Sequence, residues 1–375
     1  MKHEQFTMEA ARSARGSDLA RAPCVAFDRF VQGQLLGDAW ERLESHATYP
    51  TQSLGFVTAL SRSLLAETRI EVFVGRGDGA VQALVPLCRD EGYFARWRLA
   101  GDSEVFEPGD ALCDGAQSAR LLARMIARDP RPVALARLAA GSALVPALRA
   151  AMRGRGFVSV RPAMASPTIR LDPRWHDAET CFNPGRRSDF RRARRRAEQI
   201  GSVFFEVIAP DPAEFDALFD EAVAVECMGW KCRSGSAMAR DPGKEAFFRD
   251  WLRHACARGT LRIAFMRIGQ QAVAMQMAVI HANRFWLLKI GYDEAYGKCS
   301  PGSLLMLHTL SHAARQGYEN YELLGGMEPW IAGLWTQDSH DCVHLRSYPF
   351  TLRGMAALIA DGCVWLRERL ARRAS

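Results

Sequence analysis

The sequence predicts a mixed α/β protein built from two copies of one domain, and three observations lead there. First, 375 residues with 48% hydrophobic side chains exceed what one small core needs and suit two domains of ordinary size. Second, "IEVFVGRGDGAVQALVPLCR" and "LRIAFMRIGQQAVAMQMAVIH" each read as two strands around a tight turn, at Asp78-Gly79 and at Gly269. The two stretches superpose without a gap, Phe73 on Phe265 and Ala80-Val81 on Ala272-Val273. Third, each hairpin is followed by strand, helix and strand in the same order.

Residues 1–23, rich in Ala, Arg, Ser and Glu without periodicity, read as a disordered tail, and order begins near Cys24. The first hairpin leads into a strand "YFARWRLAG", a helix near 116–128, a strand "PVALARLA" and a helix near 143–154. Pro167, Pro173 and Pro184 are expected to interrupt any continuous element between Ala165 and Arg187, dividing a domain at 24–165 from one at 166–349. In "RRSDFRRARRRAEQIG", Phe190, Ala193, Ala197 and Ile200 fall on one side of a helix that Ser188 caps and Gly201 ends. Arg191, Arg192, Arg194, Arg195 and Arg196 cover its other sides. "VFFEVI" then opens the second sheet. After the second hairpin come the strand "RFWLLKIGY", the helix "PGSLLMLHTLSHAARQG" and the strand "YENYELLG". Residues 350–375 form an amphipathic helix with a basic end, expected to pack on the body rather than on a membrane surface.

The net charge of +7 comes from arginine, because Lys2, Lys231, Lys244, Lys289 and Lys298 are the only lysines. This balance favours anionic partners. Ten scattered cysteines without a CxxC pair suit reduced thiols. There is no signal-peptide core and no run of the roughly 18 apolar residues that a transmembrane span needs, so the expected address is the cytoplasm.

The two copies differ most in the loop after the third strand. In the first it reads "GDSEVFEPGDALCDG", whose Asp102, Glu104, Glu107, Asp110 and Asp114 would repel a phosphate. In the second it reads "GYDEAYGKCSPGSLL", where Lys298 precedes Ser300, Pro301, Gly302 and Ser303 at the start of an apolar helix. Pro301 suits a first helical turn, Ser300 is placed to cap it, and Gly302 lets a ligand approach the backbone closely. Unsatisfied N–H groups and the helix dipole make such an end an anion site, although the same residues also describe a capped helix without a ligand. Upstream, Lys289 interrupts Phe285, Trp286, Leu287, Leu288 and Ile290, and an ammonium there needs a carboxylate or a cleft.

Strand, phosphate-gripping loop, helix and strand resemble the coenzyme A site of GNAT acyltransferases. More narrowly, 183–348 resembles the CelD-like acetyltransferase family, relatives of the Fem-type aminoacyl transferases. The shared residues are the Arg-rich helix ending at Gly201, "GWK" at Gly229 to Lys231, "LKIGYDEAY", "SPGSLL" and the closing "LW" at Leu334-Trp335. Departures are Glu322 where the family usually has Asp, Cys232 after "GWK", and the acidic "TQDSHD" after "LW". The resemblance implies tandem GNAT-like domains with mixed twisted sheets flanked by helices, the first degenerate. It implies acetyl-CoA or another acyl-CoA as co-substrate, no metal, and acyl transfer to the amine of a small-molecule or envelope-polysaccharide precursor. Aminoacyl-tRNA-dependent transfer and a non-catalytic binding role are the rivals.

On this resemblance the Gly297, Lys298, Ser300, Pro301, Gly302 and Ser303 loop holds the pyrophosphate, and the backbone of 285–292 holds the pantetheine and polarises the carbonyl. Acid and base candidates are Glu226, Asp293 and Glu322, with Lys231, Lys289 and Tyr292 nearby and Trp230 toward the acceptor. Each has a structural alternative: Glu226 as a solvated carboxylate, Asp293 as a turn cap, Glu322 as the counter-ion of Lys289, and Tyr292, Trp230 and Trp335 as core aromatics. His308 with His312, and "HDCVH" at His340 to His344, lack metal-ligand spacing. "GRGDG" opens no helix, and neither a P-loop nor a G-x-S-x-G elbow is present. No helix-turn-helix or zinc-finger pattern accompanies the arginines, which excludes sequence-specific DNA reading. It leaves the Arg191 to Arg196 face for another anionic partner or for solvent.

Overall fold

The computed structural model describes residues 24–374 other than 33, 230, 231, 233, 234 and 236. The N-terminal half runs β1 (Cys24–Ala26), α1 (Phe27–Gln32), α2 (Gln34–Glu44), α3 (Leu54–Arg62), β2 (Ile70–Gly77), β3 (Ala80–Arg89), β4 (Trp97–Leu99), β5 (Leu112–Cys113), α4 (Ala116–Ile126), β6 (Val133–Ala139), α5 (Leu144–Ala151) and β7 (Gly156–Arg170). The C-terminal half runs α6 (Pro184–Glu198), β8 (Val203–Ile208), α7 (Phe215–Cys227), α8 (Pro242–Ala257), β9 (Leu261–Ile268), β10 (Gln271–His281), β11 (Arg284–Tyr292), α9 (Pro301–Arg315), β12 (Asn320–Leu323), α10 (Pro329–Leu334), β13 (Ser339–Pro349) and α11 (Leu352–Ala374). Asp78 and Gly79 both take positive φ in the first hairpin turn, and Gly269 does so in the second, as two-residue turns between twisted strands require.

All described strands join one mixed sheet in the order β1-β2-β3-β4-β6-β13-β7-β12-β11-β10-β9-β8, with β5 beside β3. Read from either end, this order shows a pseudo-two-fold relation, β2 answering β9, β3 answering β10 and β7 answering β13. In each half one pair is parallel, β4 with β6 and β11 with β12. Each half also gives its last strand to the other: β13 pairs with β6, and the end of β7 pairs with β12. Strand β7 is therefore continuous where prolines were expected to break the chain. Pro162 and Pro167 sit within it, opposite Val343 and Ser339. Proline is tolerated there because the pairing with β13 shifts register nearby and a strand needs each N–H on one side only.

Side chains on one face of the sheet pack into a core shared by both halves. Phe56 on α3 meets Phe247 and Trp251 on α8 at ring-centroid distances of 5.4 and 5.0 Å, and Tyr49 meets Trp286 at 5.7 Å. On the other face each half has its own core, under α4 and α5 in the first and under α6, α9 and α10 in the second. The shared core fixes the halves against each other. Phe56→Ala is expected to cost about 3–5 kcal/mol in one cooperative transition, measured by chemical denaturation. Two separate transitions would show that the halves unfold independently.

Helix α6 buries Phe190, Ala193 and Ala197 as its spacing predicts, but Ile200 lies beyond its end and is exposed. Its cap is Asn183, whose side chain accepts from the Arg186 N–H, and not Ser188, because Pro184 starts the helix a turn earlier. Helix α11 buries residues against the body in its first half, and from Gly362 to Ala371 every residue is exposed. Among the described residues no helix is long and apolar enough to cross a membrane.

Candidate functional site

Strands β11 and β12 pair only from Arg284 opposite Asn320 to Leu287 opposite Leu323, and then part. At the parting β11 carries a bulge: Leu287 and Lys289 face consecutive residues of β10, leaving Leu288 without a partner there. The bulge reverses the side-chain phase. Lys289 and Gly291 turn to the α7 and α8 face, while Ile290 and Tyr292 join the core under α9. Past Leu287 β11 pairs with no further residue of β12.

The N-terminus of α9 closes one end of this parting. Pro301 opens the helix, and Ser300 precedes it at φ 46° and ψ 50°, a left-handed conformation in which its side chain makes no cap. Ser300 is thus the cap position without the expected side-chain cap. The first-turn N–H groups lie beyond the reach of intrahelical carbonyls, except that the Ser300 carbonyl accepts from Ser303 and Leu304. Lys298 and Gly297 are exposed beside this end, and Arg196 of α6 donates to the Lys298 carbonyl at 3.1 Å. The arginine helix therefore stands next to the anion-favouring helix end. A Cβ added at Gly302 would meet only Tyr292, at 3.5 Å, so this position faces open space.

Among the described residues the remaining candidates divide between the two sides of β11, Glu226 and Lys289 on the α7 and α8 side and Tyr292 on the α9 side. Glu226 is buried, not solvated. Its carboxylate accepts from the Met238 N–H at 2.9 Å, and α7 passes so close to β11 that a Cβ on Gly291 would fall 2.7 Å from Glu226 Cα. Lys289 lies over the Phe248 ring at 4.3 Å from its centroid. Glu322 is fully buried, forms an ion pair with Arg284 at 3.2 Å and shares a hydrogen bond with His340 Nε2 at 3.0 Å, so its partner cation is Arg284 and not Lys289. Asp293 caps the turn after β11 through the Ala295 N–H at 2.9 Å. Trp335 is a core residue stacked near Phe190. Trp230 and Lys231 lie outside the described residues.

Two residues of the first half reach this site, and sequence reasoning missed both. Glu107, from the loop read as merely phosphate-repelling, accepts from the Gly325 N–H at 3.1 Å just past β12. Burial lifts its carboxyl to about 7, against the opposing pull of that N–H, of Arg137 and of Lys289. Arg137, buried near the end of β6 at φ 50°, donates to the Gly325 carbonyl at 2.6 Å, to Met164 O at 3.2 Å and to Phe106 O. Both sides of the Gly325 residue are thus held from the other half. A small hollow adjoins Glu107, lined by Gln52, Phe56, Pro86, Leu99 and Asp110. Burial raises the Asp110 carboxyl to about 6. Only the density of acids in this loop hinted at such a role.

Residues 184–330 match the family described as an acetyltransferase (GNAT) domain. This span holds α6 through β12 and so contains the parted strands and the α9 terminus. No curated protein matches the chain in sequence. Among solved structures, the C-terminal domain (DUF2156) of an Agrobacterium fabrum protein named as a lysylphosphatidylglycerol synthetase is similar at 12% identity and TM-score 0.52, covering 87% of this chain and 95% of that one. FemX is similar at 10% identity and TM-score 0.53, covering 84% and 96%. A conserved protein of Bacteroides thetaiotaomicron VPI-5482 is similar at 12% and 0.54, covering 83% and 97%. These likenesses are of fold. The molecule is a mixed α/β protein of two similarly connected halves, and residues 184–330 in the second match a GNAT acetyltransferase domain.

Proposed function

We propose that the chain is an acyl-CoA-dependent N-acyltransferase, moving an acetyl or related acyl group to the amine of a small-molecule or envelope-polysaccharide precursor. The observation that carries this reading is the uncapped α9 terminus at the parting of β11 and β12, with Lys298 and Arg196 beside it. Acyl-CoA supplies a thioester carbonyl open to attack by an amine. In this reading the Gly302 N–H in the first turn of α9, the dipole of that helix and the Lys298 ammonium hold the pyrophosphate. The β11 edge past Leu287 holds the pantetheine amides in the manner of an added strand, and an N–H near the bulge polarises the carbonyl. As the amine nitrogen bonds to the carbonyl carbon, Glu107 receives the proton the amine loses, its carboxyl lying near neutrality as a base at physiological pH requires. The C–S bond then breaks and coenzyme A leaves as its thiolate, which takes up a proton to become the thiol. Trp230 is assigned to acceptor recognition and Lys231 to the acid–base work, both as the resemblance implies.

Calorimetric titration with acetyl-CoA tests the donor site. Gly302→Val is expected to weaken binding at least tenfold with little change in melting temperature, because the added methyls enter the space a phosphate needs and not the protein. The 3′-dephospho form is expected to bind more weakly if an α6 arginine meets that phosphate. Absence of binding to the wild type would overturn the reading. One observation favours a second one, aminoacyl-tRNA as donor: Arg191, Arg192, Arg194, Arg195 and Arg196 are all exposed along α6 beside the same loop. Retention of tRNA that depends on these arginines, without affinity for acetyl-CoA, would select it.

A further inference from the structure

Helix α11 turns one side to the body, which holds it largely through polar contacts, and an apolar stripe away from it. The inner side holds Gly354, Ala357 and Asp361, whose carboxylate takes Arg96 and Arg346 at 2.9 Å and the Tyr348 hydroxyl at 2.7 Å, and Trp365, over which Arg161 lies. The outer side holds Leu352, Ile359, Leu366 and Leu370, exposed by 95, 65, 52 and 57%. At 3.6 residues per turn these four, with exposed Cys363, fall within about 60° of one another. From Gly362 to Ala371 every residue is exposed. At the base of the helix Phe157 and Phe350 stack edge to face at 5.2 Å, and both are half-exposed. A monomer in water rarely leaves so long an apolar stripe uncovered.

The charges decide what covers it. Arg353 and Arg367 edge the stripe on one side and Arg369 on the other, and the sequence continues with Arg372 and Arg373. Glu368 falls on the far side of the helix, and Asp361 is held by its three inner partners. A second copy would set arginine edges against arginine edges with no carboxylate between them. An anionic bilayer surface presents the complement, acyl chains for the stripe and phosphates at the level of the arginines. We propose that α11 docks the protein on anionic lipid, lying in the plane of the interface.

The test is flotation of the full chain with vesicles of phosphatidylcholine alone or with about a third phosphatidylglycerol. Wild type is expected to bind the anionic vesicles and bind the neutral ones at least tenfold more weakly. Leu366→Ser with Leu370→Ser, and separately Arg367→Gln with Arg369→Gln, are each expected to reduce that binding about tenfold or more. All four positions are exposed, so melting temperatures should stay with the wild type. No binding by the wild type, equal binding to both vesicles, or unchanged binding by either variant would overturn the proposal. A dimer that the leucine variant dissociates, in a protein that ignores vesicles, would assign the stripe to a second copy.

Discussion

Glu107→Gln is expected to lower the turnover number by about 100- to 1,000-fold while leaving the Michaelis constant for acetyl-CoA near its wild-type value. The wild-type rate should rise with pH and level off above about 7, where the Glu107 carboxyl is ionised in the folded protein. The glutamine variant should lose this limb. Stability gives an independent readout, with a definite sign. The carboxyl ionises near 4.5 when unperturbed and near 7 when folded, so between those values the native state binds the extra proton. Wild-type stability therefore falls as pH rises through this window, by roughly 1–3 kcal/mol, and stays at the lower value above it. Glutamine is neutral throughout and should remove the slope, leaving the variant at least as stable as wild type at pH 8. A purely structural Glu107 would show the stability effect with an unchanged turnover number, and that result would remove it from the chemistry.

How much of this was legible in the sequence depends on the distance over which each feature is built. The two hairpins were legible because alternation and turn residues are local, and Asp78-Gly79 names its own turn. The loop before α9 was legible for the same reason, since Lys298 to Ser303 are neighbours along the chain. The exchange of β7 and β13 was not. A strand's pattern tells which side it buries, not which partner it pairs with, and Pro167 suggested a break where the longest described strand runs. Glu322 illustrates the limit for single residues. Its burial was inferable from "YELLGG", but Arg284 and His340 are fixed as partners only when β11, β12 and β13 assemble. Glu107 lies 218 residues from Gly325, and no periodicity connects them. Its loop had been judged by charge alone, as hostile to phosphate, whereas its partner is a backbone N–H of the opposite half.

Arg137→Met is expected to destabilise the protein by about 3–5 kcal/mol and to move the pH limb of turnover upward. The guanidinium is 6% exposed and serves carbonyls from three separate segments, Phe106, Met164 and Gly325. Methionine fills much of the volume but leaves these acceptors without donors, each at a cost of about 1–3 kcal/mol less what water recovers. The second effect follows from charge. Arg137 pulls the Glu107 carboxyl down against burial, so its removal leaves the carboxyl protonated to higher pH. Arg137→Lys separates the two effects. It keeps the positive charge, so the midpoint of the limb should stay close to wild type, but one ammonium cannot reproduce the planar fork that spans three carbonyls, so most of the stability loss should remain. Denaturation measured beside pH–rate profiles of both variants decides the matter. A methionine variant with an unmoved midpoint would mean that Arg137 only holds the halves together and has no electrostatic part in setting the base.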